Sequence, residues 1–342
     1  MSASTLVGSI PRENVAGSPV IAVCDLVHRY GDRAALNGVS FDVRQAELFG
    51  LLGPNGSGKT TMFRILSTLM VPVGGRAVIL GHDAAKDPSR LRREIGVVFQ
   101  TRSIDLKLTA AENLLHQGHL YGLHGTSLTK RIDEILERVG LADRAREKAE
   151  TFSGGMQRRL ELAKGLLHGP RVLLLDEPTT GLDPGARRDV WQYLRILRDQ
   201  EQVTVLVTTH LMEEAERCDR LAILNEGKLV ALGTPMELKQ EIGGDVIVLE
   251  TAQPESLGSR IQAQFLVEAR VVGKQVRIEK DHGHRFVTDL VEAFPGEIDA
   301  VSISKPSLED VFIDRTGHRF WSDPEDAYPT DPESHREGKR KR

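Results

Sequence analysis

The chain has 342 residues, a formal net charge of −4 and 40% hydrophobic residues, which is typical of a globular protein of about two domains. Its slight acidity argues against nucleic-acid binding, which usually requires a basic domain. No apolar run approaches the roughly 18 residues of a membrane span, and the N terminus lacks a signal-peptide core. Two cysteines, Cys24 and Cys218, predict neither a disulfide framework nor a metal site, so we expect a reducing, cytoplasmic environment.

The first two-thirds of the chain alternates between helical and strand-like segments. Residues 1–18 are small and polar and predict a flexible leader. Short β-like runs follow from about residue 20 to residue 50: IAVCDLV, RAALNGVSFDV and ELFGLL. Helical periodicity then predicts helices at 59–69, 110–121, 128–139, 156–167 and 185–200. The intervening strand candidates are EIGVVF, RVLLLD, VTVLVTT and RLAILN. Because they are apolar throughout, they predict a parallel sheet buried on both faces, so residues 19–242 are expected to form an α/β nucleotide-binding fold.

A second unit is predicted at residues 243–318. Its elements follow the order βαββαβ and end in the helical segment LEDVFIDRTG. This order predicts a small ferredoxin-like α+β domain. Residues 319–342 are rich in proline and charge and predict a disordered tail.

The octapeptide GPNGSGKT, residues 53–60, lies between a predicted strand and a predicted helix. Its spacing, G-x-x-x-x-G-K-T, is that of a phosphate-binding loop, in which backbone N–H groups and the helix N terminus bind anionic oxygens. Lys59 is then placed to reach the β- and γ-phosphates, and Thr60 to bind Mg²⁺. A glycine-rich turn that binds nothing is disfavoured by the strand–helix context. The predicted nucleotide-binding residues of this segment are Gly53, Pro54, Asn55, Gly56, Ser57, Gly58, Lys59, Thr60 and Thr61.

Three further predicted strands end in polar side chains. VLLLDE ends in Asp176 and Glu177, VTVLVTTH in His210 and EIGVVFQ in Gln100. The carboxyl ends of parallel strands meet at one edge of a sheet, so we expect these residues beside the phosphate-binding loop. Asp176 is predicted to bind Mg²⁺, and Glu177 to orient or deprotonate an attacking water. A catalytic role is predicted for His210, and for Gln100 contact with Mg²⁺ or the water; a structural role is the alternative for both.

The segment TFSGGMQRRLELAKG, residues 151–165, begins a predicted helix in an unusual way. Ser153 is a good helix cap, but two glycines follow it where better helix formers would each be worth about 1 kcal/mol. Helical spacing predicts two faces, a buried one with Met156, Leu160, Ala163 and Leu167 and a water-facing one with Arg158, Arg159 and Lys164. A bare helix N terminus of this kind favours an anion.

These motifs occur in the order and spacing of the ATP-binding cassette (ABC) ATPases, which the chain resembles over about residues 20 to 240. The resemblance is carried by GPNGSGKT, the strand-end glutamine and histidine, SGG, VLLLDEP and TGLD. SGG ahead of the LLLDEP strand separates this family from kinases, GTPases and helicases. The resemblance implies a P-loop NTPase cassette with a RecA-like parallel core, an antiparallel β subdomain and a helical signature subdomain. It also implies ATP and Mg²⁺ as cofactors.

The resemblance implies roles for residues outside the phosphate-binding loop. Tyr30, in RYG, is similar to the aromatic residue that stacks on adenine; a core residue of the β subdomain is the alternative. Cassettes of this family pair head to tail, so each ATP lies between the phosphate-binding loop of one chain and Ser153, Gly154 and Gly155 of the other. Asp183 of TGLD resembles the residue that crosses between subunits. A homodimer that closes on ATP and reopens after hydrolysis is therefore expected.

Two positions depart from the usual wording of the family. The signature reads FSGGM rather than LSGGQ, with Gln157 one place later, and Gly181 stands where alanine is usual. Backbone and Ser153 contacts survive both changes, so nucleotide binding is expected to persist. The methionine form and the C-terminal SLEDVFIDRTG resemble the drug-resistance subgroup that includes the daunorubicin/doxorubicin exporter ATPase.

The resemblance leaves a choice of functions. An exporter ATPase would power efflux of a drug-like or antibiotic compound through a separate integral-membrane permease, which would hold it at the cytoplasmic face of the membrane; export of a lipid or polysaccharide is an alternative. A non-transport ABC ATPase acting on ribosomes or DNA would show two cassettes or a long coiled coil, and the sequence shows neither. A regulatory module would lack Glu177 or His210. Sugar-importer ATPases carry a longer β-rich extension, so export is expected, with no nucleic-acid partner.

Overall fold

The computed structural model describes residues 19–320. The predicted leader, residues 1–18, lies outside the described residues, and so does the predicted tail from residue 321 onward. The strands are β1 (Ile21–Tyr30), β2 (Arg33–Val43), β3 (Leu48–Leu52), β4 (Gly74–Ile79), β5 (His82–Asp83), β6 (Ile95–Val98), β7 (Val172–Asp176), β8 (Thr204–Thr209), β9 (Arg220–Asn225), β10 (Lys228–Gly233), β11 (Asp245–Glu250), β12 (Ala269–Val272), β13 (Gln275–Lys280) and β14 (Ala300–Ser304). The helices are α1 (Lys59–Leu66), α2 (Pro88–Glu94), α3 (Ala110–Leu120), α4 (Gly125–Arg138), α5 (Gly154–Leu166), α6 (Pro184–Glu201), α7 (Met212–Ala215), α8 (Pro235–Ile242), α9 (Pro254–Phe265), α10 (Gly283–Ala293) and α11 (Leu308–Thr316). Among these helices, none is both long and apolar enough to cross a membrane.

The central sheet has the strand order β10-β9-β3-β8-β7-β6. Strands β9, β3, β8, β7 and β6 run parallel, and β10 is an antiparallel edge strand. Every residue of β7 is buried. Leu173 and Leu175 pack among helices α3 to α6, whereas Val172 and Leu174 pack on the opposite face with α1. This burial on both faces accounts for the unbroken apolar run, and the predicted α/β fold class is confirmed.

An antiparallel sheet, β2-β1-β4-β5, covers the α1 side of the central sheet. Its apolar residues share a core with β3, and the rings of Phe41 and Phe49 stack with centroids 5.3 Å apart. A tight turn joins β1 to β2 and places Tyr30 directly opposite Arg33. Gly31 in that turn has a φ of +56°, a left-handed conformation that glycine adopts without steric cost. The side chains of Tyr30 and Arg33, at the end of this hairpin, therefore lie on the same face of the sheet.

Several helix ends differ from the predicted ones, and two of the differences have a local cause. Helix α5 begins at Gly154, two residues before the predicted start, because Ser153 caps it and both glycines take helical backbone. Helix α1 ends at Leu66 rather than 69, and Thr68 beyond it has a φ of +62° that a helix cannot contain. Helix α4 begins at Gly125, ahead of the predicted residue 128.

The C-terminal residues form a third sheet with the order β12-β13-β11-β14, and all its pairs are antiparallel. Helices α9 and α10 pack on one face through a core that contains Ile247 and Leu249. Helix α11 lies on the other side, where Phe312 shares a core with Val246 of β11 and with Ile223 of the central sheet. Helix α11, together with α8, thus joins the C-terminal sheet to the central sheet.

Truncating the buried ring of Phe312 tests this junction. Phe312 is fully buried, and its ring packs edge-on against Phe320 at 4.9 Å. Phe312→Ala should lower the free energy of unfolding by about 3–5 kcal/mol, because the lost contacts leave a cavity. Urea denaturation measures the change. Leu266→Ala, at a side chain that is 90% exposed, is the matched control and should change stability by less than about 0.5 kcal/mol. Equal stability of both variants would contradict this account of the junction.

Candidate active site

Four segments that follow parallel strands meet at one edge of the central sheet. Residues 53–60 follow β3, Gln100 follows β6, Glu177 follows β7 and His210 follows β8. Neighbouring strands are in parallel register, with Asp176 beside Thr208 in the β7–β8 pair. Their carboxyl ends therefore lie together, and the structure gathers the predicted residues of all four segments at this edge.

Glycines in residues 53–60 let the loop approach its neighbours closely. A Cβ on Gly53 would lie 2.4 Å from Ser57 Oγ, and one on Gly58 would lie 2.5 Å from the carbonyl oxygen of Ala35. Gly58 has a φ of +106°, and α1 begins at the next residue. A tight loop closed directly onto a helix N terminus presents N–H groups to a phosphate.

The ammonium of Lys59 turns back over this loop. Its Nζ donates hydrogen bonds to the carbonyl oxygens of Gly53 at 2.6 Å and Pro54 at 3.0 Å, and it lies 4.0 Å from Glu177 Oε1. The side chain is only 4% exposed. Burial lowers the pKa of Lys59, and the charges of Glu177 and Asp176 oppose that shift. The cation is thus held among carbonyl oxygens and two carboxylates.

The carboxylate of Glu177 is the point where the strand-end residues converge. Its Oε2 accepts hydrogen bonds from Gln100 Nε2 and Thr180 Oγ1, both at 3.2 Å, and lies 3.0 Å from His210 Nδ1. Glu177 has a φ of +42°, a left-handed conformation that costs a non-glycine residue about 1–2 kcal/mol. The surrounding contacts hold the side chain in one orientation despite that strain.

Thr208 fixes the two acids, and the sequence interpretation overlooked it. Its hydroxyl donates to Asp176 Oδ1 at 2.6 Å and accepts from the backbone N–H of Glu177 at 3.0 Å. Burial raises the pKa of Asp176, and the hydrogen bond from Thr208 opposes that shift. The signal was present in VTVLVTTH, where a hydroxyl residue stands beside the acid-bearing strand end.

A cavity of about 400 Å³ lies in front of the loop. Its lining includes the loop, the two strand-end residues Gln100 and Glu177, and the β1–β2 hairpin. The lining residues are Tyr30, Arg33, Ala35, Asn55, Gly56, Gly58, Lys59, Thr60, Thr61, Gln100 and Glu177. Gly53 and Ser57 are buried behind this lining.

Tyr30 stands at the open end of the cavity rather than in a core. Its side chain is 47% exposed. Its hydroxyl lies 3.5 Å from Met70 Sδ, and the His28 ring packs edge-on against it with centroids 5.0 Å apart. An exposed aromatic ring held on two sides offers a free face to a flat ligand.

The residues of the SGG element lie apart from this cavity. Ser153 caps α5, with Oγ accepting from the N–H of Met156 at 3.3 Å. Gly154 and Gly155 are the first residues of the helix. A Cβ on Gly155 would lie 2.7 Å from Ala186 Cβ, so packing against α6 also requires glycine there. Within the described chain, the cavity lining contains no residue of this element.

Asp183 lies on the SGG side as well. It caps α6, with Oδ1 accepting from the N–H groups of Ala186 at 3.0 Å and Gly185 at 2.9 Å. These hydrogen bonds, that from Ala186 first, lower the pKa of Asp183. The neighbouring Leu182 approaches the start of α5, since a Cβ on Gly154 would lie 3.8 Å from Leu182 Cδ2. The two motifs therefore form a second cluster on the surface of the same chain.

The prediction that Arg158 faces water is wrong, because this side chain is buried. Its guanidinium donates to the carbonyl oxygens of Pro178 at 2.6 Å and Phe99 at 2.8 Å, and to Glu161 Oε2 at 2.8 Å. Glu161 in turn accepts from the N–H of Ser103 at 2.7 Å. Arg158 thus ties α5 to the segments that carry Glu177 and Gln100. The sequence did contain a signal for this burial, because Arg158 and Glu161 form a charge pair at i and i+3 among apolar residues.

Arg159 and Lys164 are also less exposed than predicted, although they are less buried than Arg158. Both are half-buried. Arg159 Nη1 donates to the carbonyl oxygen of Val139 at 3.2 Å, and Lys164 Nζ donates to that of Ser103. The predicted water-facing side of α5 is therefore used for contacts with neighbouring segments.

Comparison with protein families matches two parts of the chain. The family described as ABC transporter matches residues 36–180, and the family described as ATP-binding protein DrrA1-3-like, C-terminal domain, matches residues 233–316. The first match spans the phosphate-binding loop, Gln100, SGG and Asp176. The second spans the C-terminal sheet and α11.

Comparison with individual proteins indicates the same family. The chain is 40% identical over 300 residues to the daunorubicin resistance ATP-binding protein DrrA3 of Streptomyces coeruleorubidus, covering 84% of this chain and 93% of that protein. It is 37% identical over 303 residues to the linearmycin resistance ATP-binding protein LnrL of Bacillus subtilis (strain 168), covering 84% and 95%. A solved dimer of the ATP-binding cassette MJ0796 with ADP and Pi is 30% identical, covers 63% of this chain and 98% of its own, and has a TM-score of 0.57. The chain therefore belongs to the ATP-binding proteins of ABC transporters and is an ATPase homologous to the daunorubicin/doxorubicin resistance subgroup.

Proposed function

We propose that the chain hydrolyses ATP to power export of a drug-like or antibiotic compound through a separate integral-membrane permease. The observation that carries the catalytic part is the Glu177 carboxylate, on which Gln100, Thr180 and His210 converge at 3.0–3.2 Å beside the cavity. A carboxylate held in this way can orient a water molecule and accept its proton. His210 and Gln100 then keep Glu177 directed at the water.

The residues facing the cavity support binding of ATP along its length. Tyr30 offers its exposed ring face to the base at the open end. The backbone N–H groups of the loop residues that line the cavity bind the phosphates at the start of α1, with Lys59 directed to the β- and γ-phosphates. This assignment uses every predicted loop residue, with Gly53, Pro54 and Ser57 acting behind the lining by shaping the loop and holding Lys59.

The residues present fit Mg²⁺. Thr60 supplies a hydroxyl, Asp176 a buried carboxylate and Gln100 an amide oxygen, all hard oxygen donors of the kind that Mg²⁺ prefers. Residues 19–320 contain no group of three or more His, Cys, Asp or Glu side chains that could hold a metal ion alone, so phosphate and water oxygens would complete the shell. When bound, Mg²⁺ would neutralise charge that develops on the phosphates.

A homodimer is proposed because the chain carries two complementary halves of a site in different places. The loop cavity has no contribution from Ser153, Gly154, Gly155 or Asp183, and the SGG helix N terminus remains available to an anion. The related MJ0796 cassette was solved as a dimer with ADP and Pi. In the proposed pair, the SGG element of one chain contacts the γ-phosphate bound by the other.

The cargo and location are proposed from the relatives. The DrrA3 and LnrL proteins are named for resistance to daunorubicin and linearmycin, and each match covers 84% of this chain, more than residues 19–242 alone. We place the dimer at the cytoplasmic face of the cell membrane, held there by the permease and without a nucleic-acid partner. The proposed division is residues 19–242 for ATP hydrolysis and residues 243–318 for the C-terminal domain.

Replacing the carboxylate of Glu177 tests hydrolysis. Glu177→Gln keeps the size of the side chain and one acceptor oxygen but removes the base, so turnover should fall by about 10²–10⁴-fold while ATP binding persists. The ATP-bound dimer should accumulate. Phosphate release and size-exclusion chromatography with ATP measure the two effects.

Glu213→Gln is the matched control, because its carboxylate is 85% exposed and lies outside the cavity. It should hydrolyse ATP at the rate of the unmodified chain. Unchanged hydrolysis by the Glu177 variant would remove this residue from the mechanism.

Mixed dimers test whether the site is shared. Lys59→Ala disables the loop and Ser153→Arg blocks the SGG element, so each homodimer should be inactive. A dimer of one chain of each kind retains one site in which neither substitution is present, and it should recover measurable hydrolysis. Two different affinity tags isolate the mixed dimer, and thermal melting confirms that each variant is folded. Mixed dimers that form but show no more activity than either homodimer would contradict a shared site.

A resistance assay tests the cargo. In the native host, exchanging the chain for Glu177→Gln should increase sensitivity to daunorubicin, doxorubicin or linearmycin, and exchanging it for Glu213→Gln should not. Minimal inhibitory concentrations measure the effect. Equal resistance of all three strains to these compounds would exclude them as cargo and leave the ATPase activity in place.

A further inference from the structure

We infer that Arg33 binds the α- and β-phosphates of the nucleotide and so adds a second cation to the site. The inference rests on the proposed binding of ATP in this cavity. Arg33 is outside GPNGSGKT and outside every other motif that the sequence brought to attention. Its role follows from the position of one hairpin relative to the phosphate-binding loop.

The β1–β2 hairpin directs Arg33 into the cavity. Arg33 is directly opposite Tyr30 in the antiparallel pair, so both side chains project from the same face. Side chains alternate along a strand, and Ala35, two residues on, also lines the cavity. Tyr30 and Arg33 are therefore presented side by side by one rigid turn.

The guanidinium of Arg33 lies against the phosphate-binding loop. A Cβ added to Gly56 would lie 3.1 Å from Arg33 Nη2. The backbone N–H groups of such a loop contact the α- and β-phosphates, while the lysine that follows reaches the β- and γ-phosphates. Arg33 is thus on the side of the loop that holds the phosphates that are not transferred.

Charge favours the same assignment. Lys59 is surrounded by the carbonyl oxygens of Gly53 and Pro54 and by the carboxylate of Glu177, so much of its charge is already balanced. Among residues 19–320, Arg33 makes no ion pair with a carboxylate. A guanidinium with its donors available, beside a loop that binds anions, matches the oxygens of a diphosphate.

Nucleotide binding by Arg33→Ala tests the inference. Loss of a charge-assisted hydrogen bond should raise the Kd of both ATP and ADP by about 10- to 100-fold and by the same factor, because both contain the α- and β-phosphates. Titration with N-methylanthraniloyl derivatives of ATP and ADP in the presence of Mg²⁺ measures the two constants. In hydrolysis, the loss should fall on KM rather than on kcat.

Two further variants separate binding from a structural role. Arg33→Lys keeps a cation on the same strand and should recover part of the affinity, which a residue that only holds the turn would not do. Arg76→Ala removes an equal charge from an exposed position of the neighbouring strand β4 and should leave both Kd values unchanged. The melting temperature of all three variants should equal that of the unmodified chain.

The result that overturns the inference is an Arg33→Ala chain with unchanged Kd values, or one whose Kd rises for ATP alone, which would place the group at the γ-phosphate. Either result leaves the proposed function intact as long as the unmodified chain binds and hydrolyses ATP. An unmodified chain that binds neither nucleotide would instead overturn the proposed function.

Discussion

The register of the parallel strands β6, β7, β8 and β3 is the constraint on which the site depends. Each strand is largely buried, and the segment that follows it carries residues of the site, so packing the strands in parallel brings these segments to one edge. Shifting one strand by a single residue would turn its side chains to the opposite faces and move its polar end away from the others. Thr208 adds a local constraint, because its one hydroxyl makes hydrogen bonds both to the carboxylate of Asp176 and to the backbone N–H of Glu177. The same register that buries the core therefore sets the distance between the two acids.

Electrostatic balance explains why these groups occur together. Burial alone disfavours the charged forms of Lys59 and Asp176, and it lowers the pKa of the first and raises that of the second. An isolated buried charge costs several kcal/mol, whereas opposite charges held by hydrogen bonds offset much of that cost. The positive φ of Glu177 is a smaller cost of about 1–2 kcal/mol, which its hydrogen bonds to Thr208 help to offset. The charged groups of the site are therefore held in place by one another and by their hydrogen bonds.

Sequence patterns predicted the elements and residues whose signal is local. The fold class, the phosphate-binding loop and the strand-end residues Gln100, Asp176, Glu177 and His210 are all visible in a short window, because each depends on one strand or one loop. Thr208 and Arg158 could not be found in that way. Thr208 acts across a strand pair, and Arg158 occupies a helix position that periodicity assigns to water but that is covered by segments far away in the sequence. Helix ends were displaced where a cap or a left-handed residue decides the boundary, as at Gly154 and Thr68.

Arg158 also determines how the two clusters of the chain are connected. Its guanidinium bonds to the residue that follows Glu177 and to the residue that precedes Gln100, and Glu161 bonds to the segment just beyond Gln100. Separating α5 from these segments would break the hydrogen bonds of the buried Arg158 and Glu161 to Pro178, Phe99 and Ser103, at a cost of about 1.5–3 kcal/mol for each bond to a charged group. Small displacements therefore move the SGG helix together with the ends of β6 and β7 rather than apart from them. Since Gln100 and Glu177 contact each other, the buried Arg158 and Glu161 connect the SGG helix to the carboxylate that we propose to orient the water.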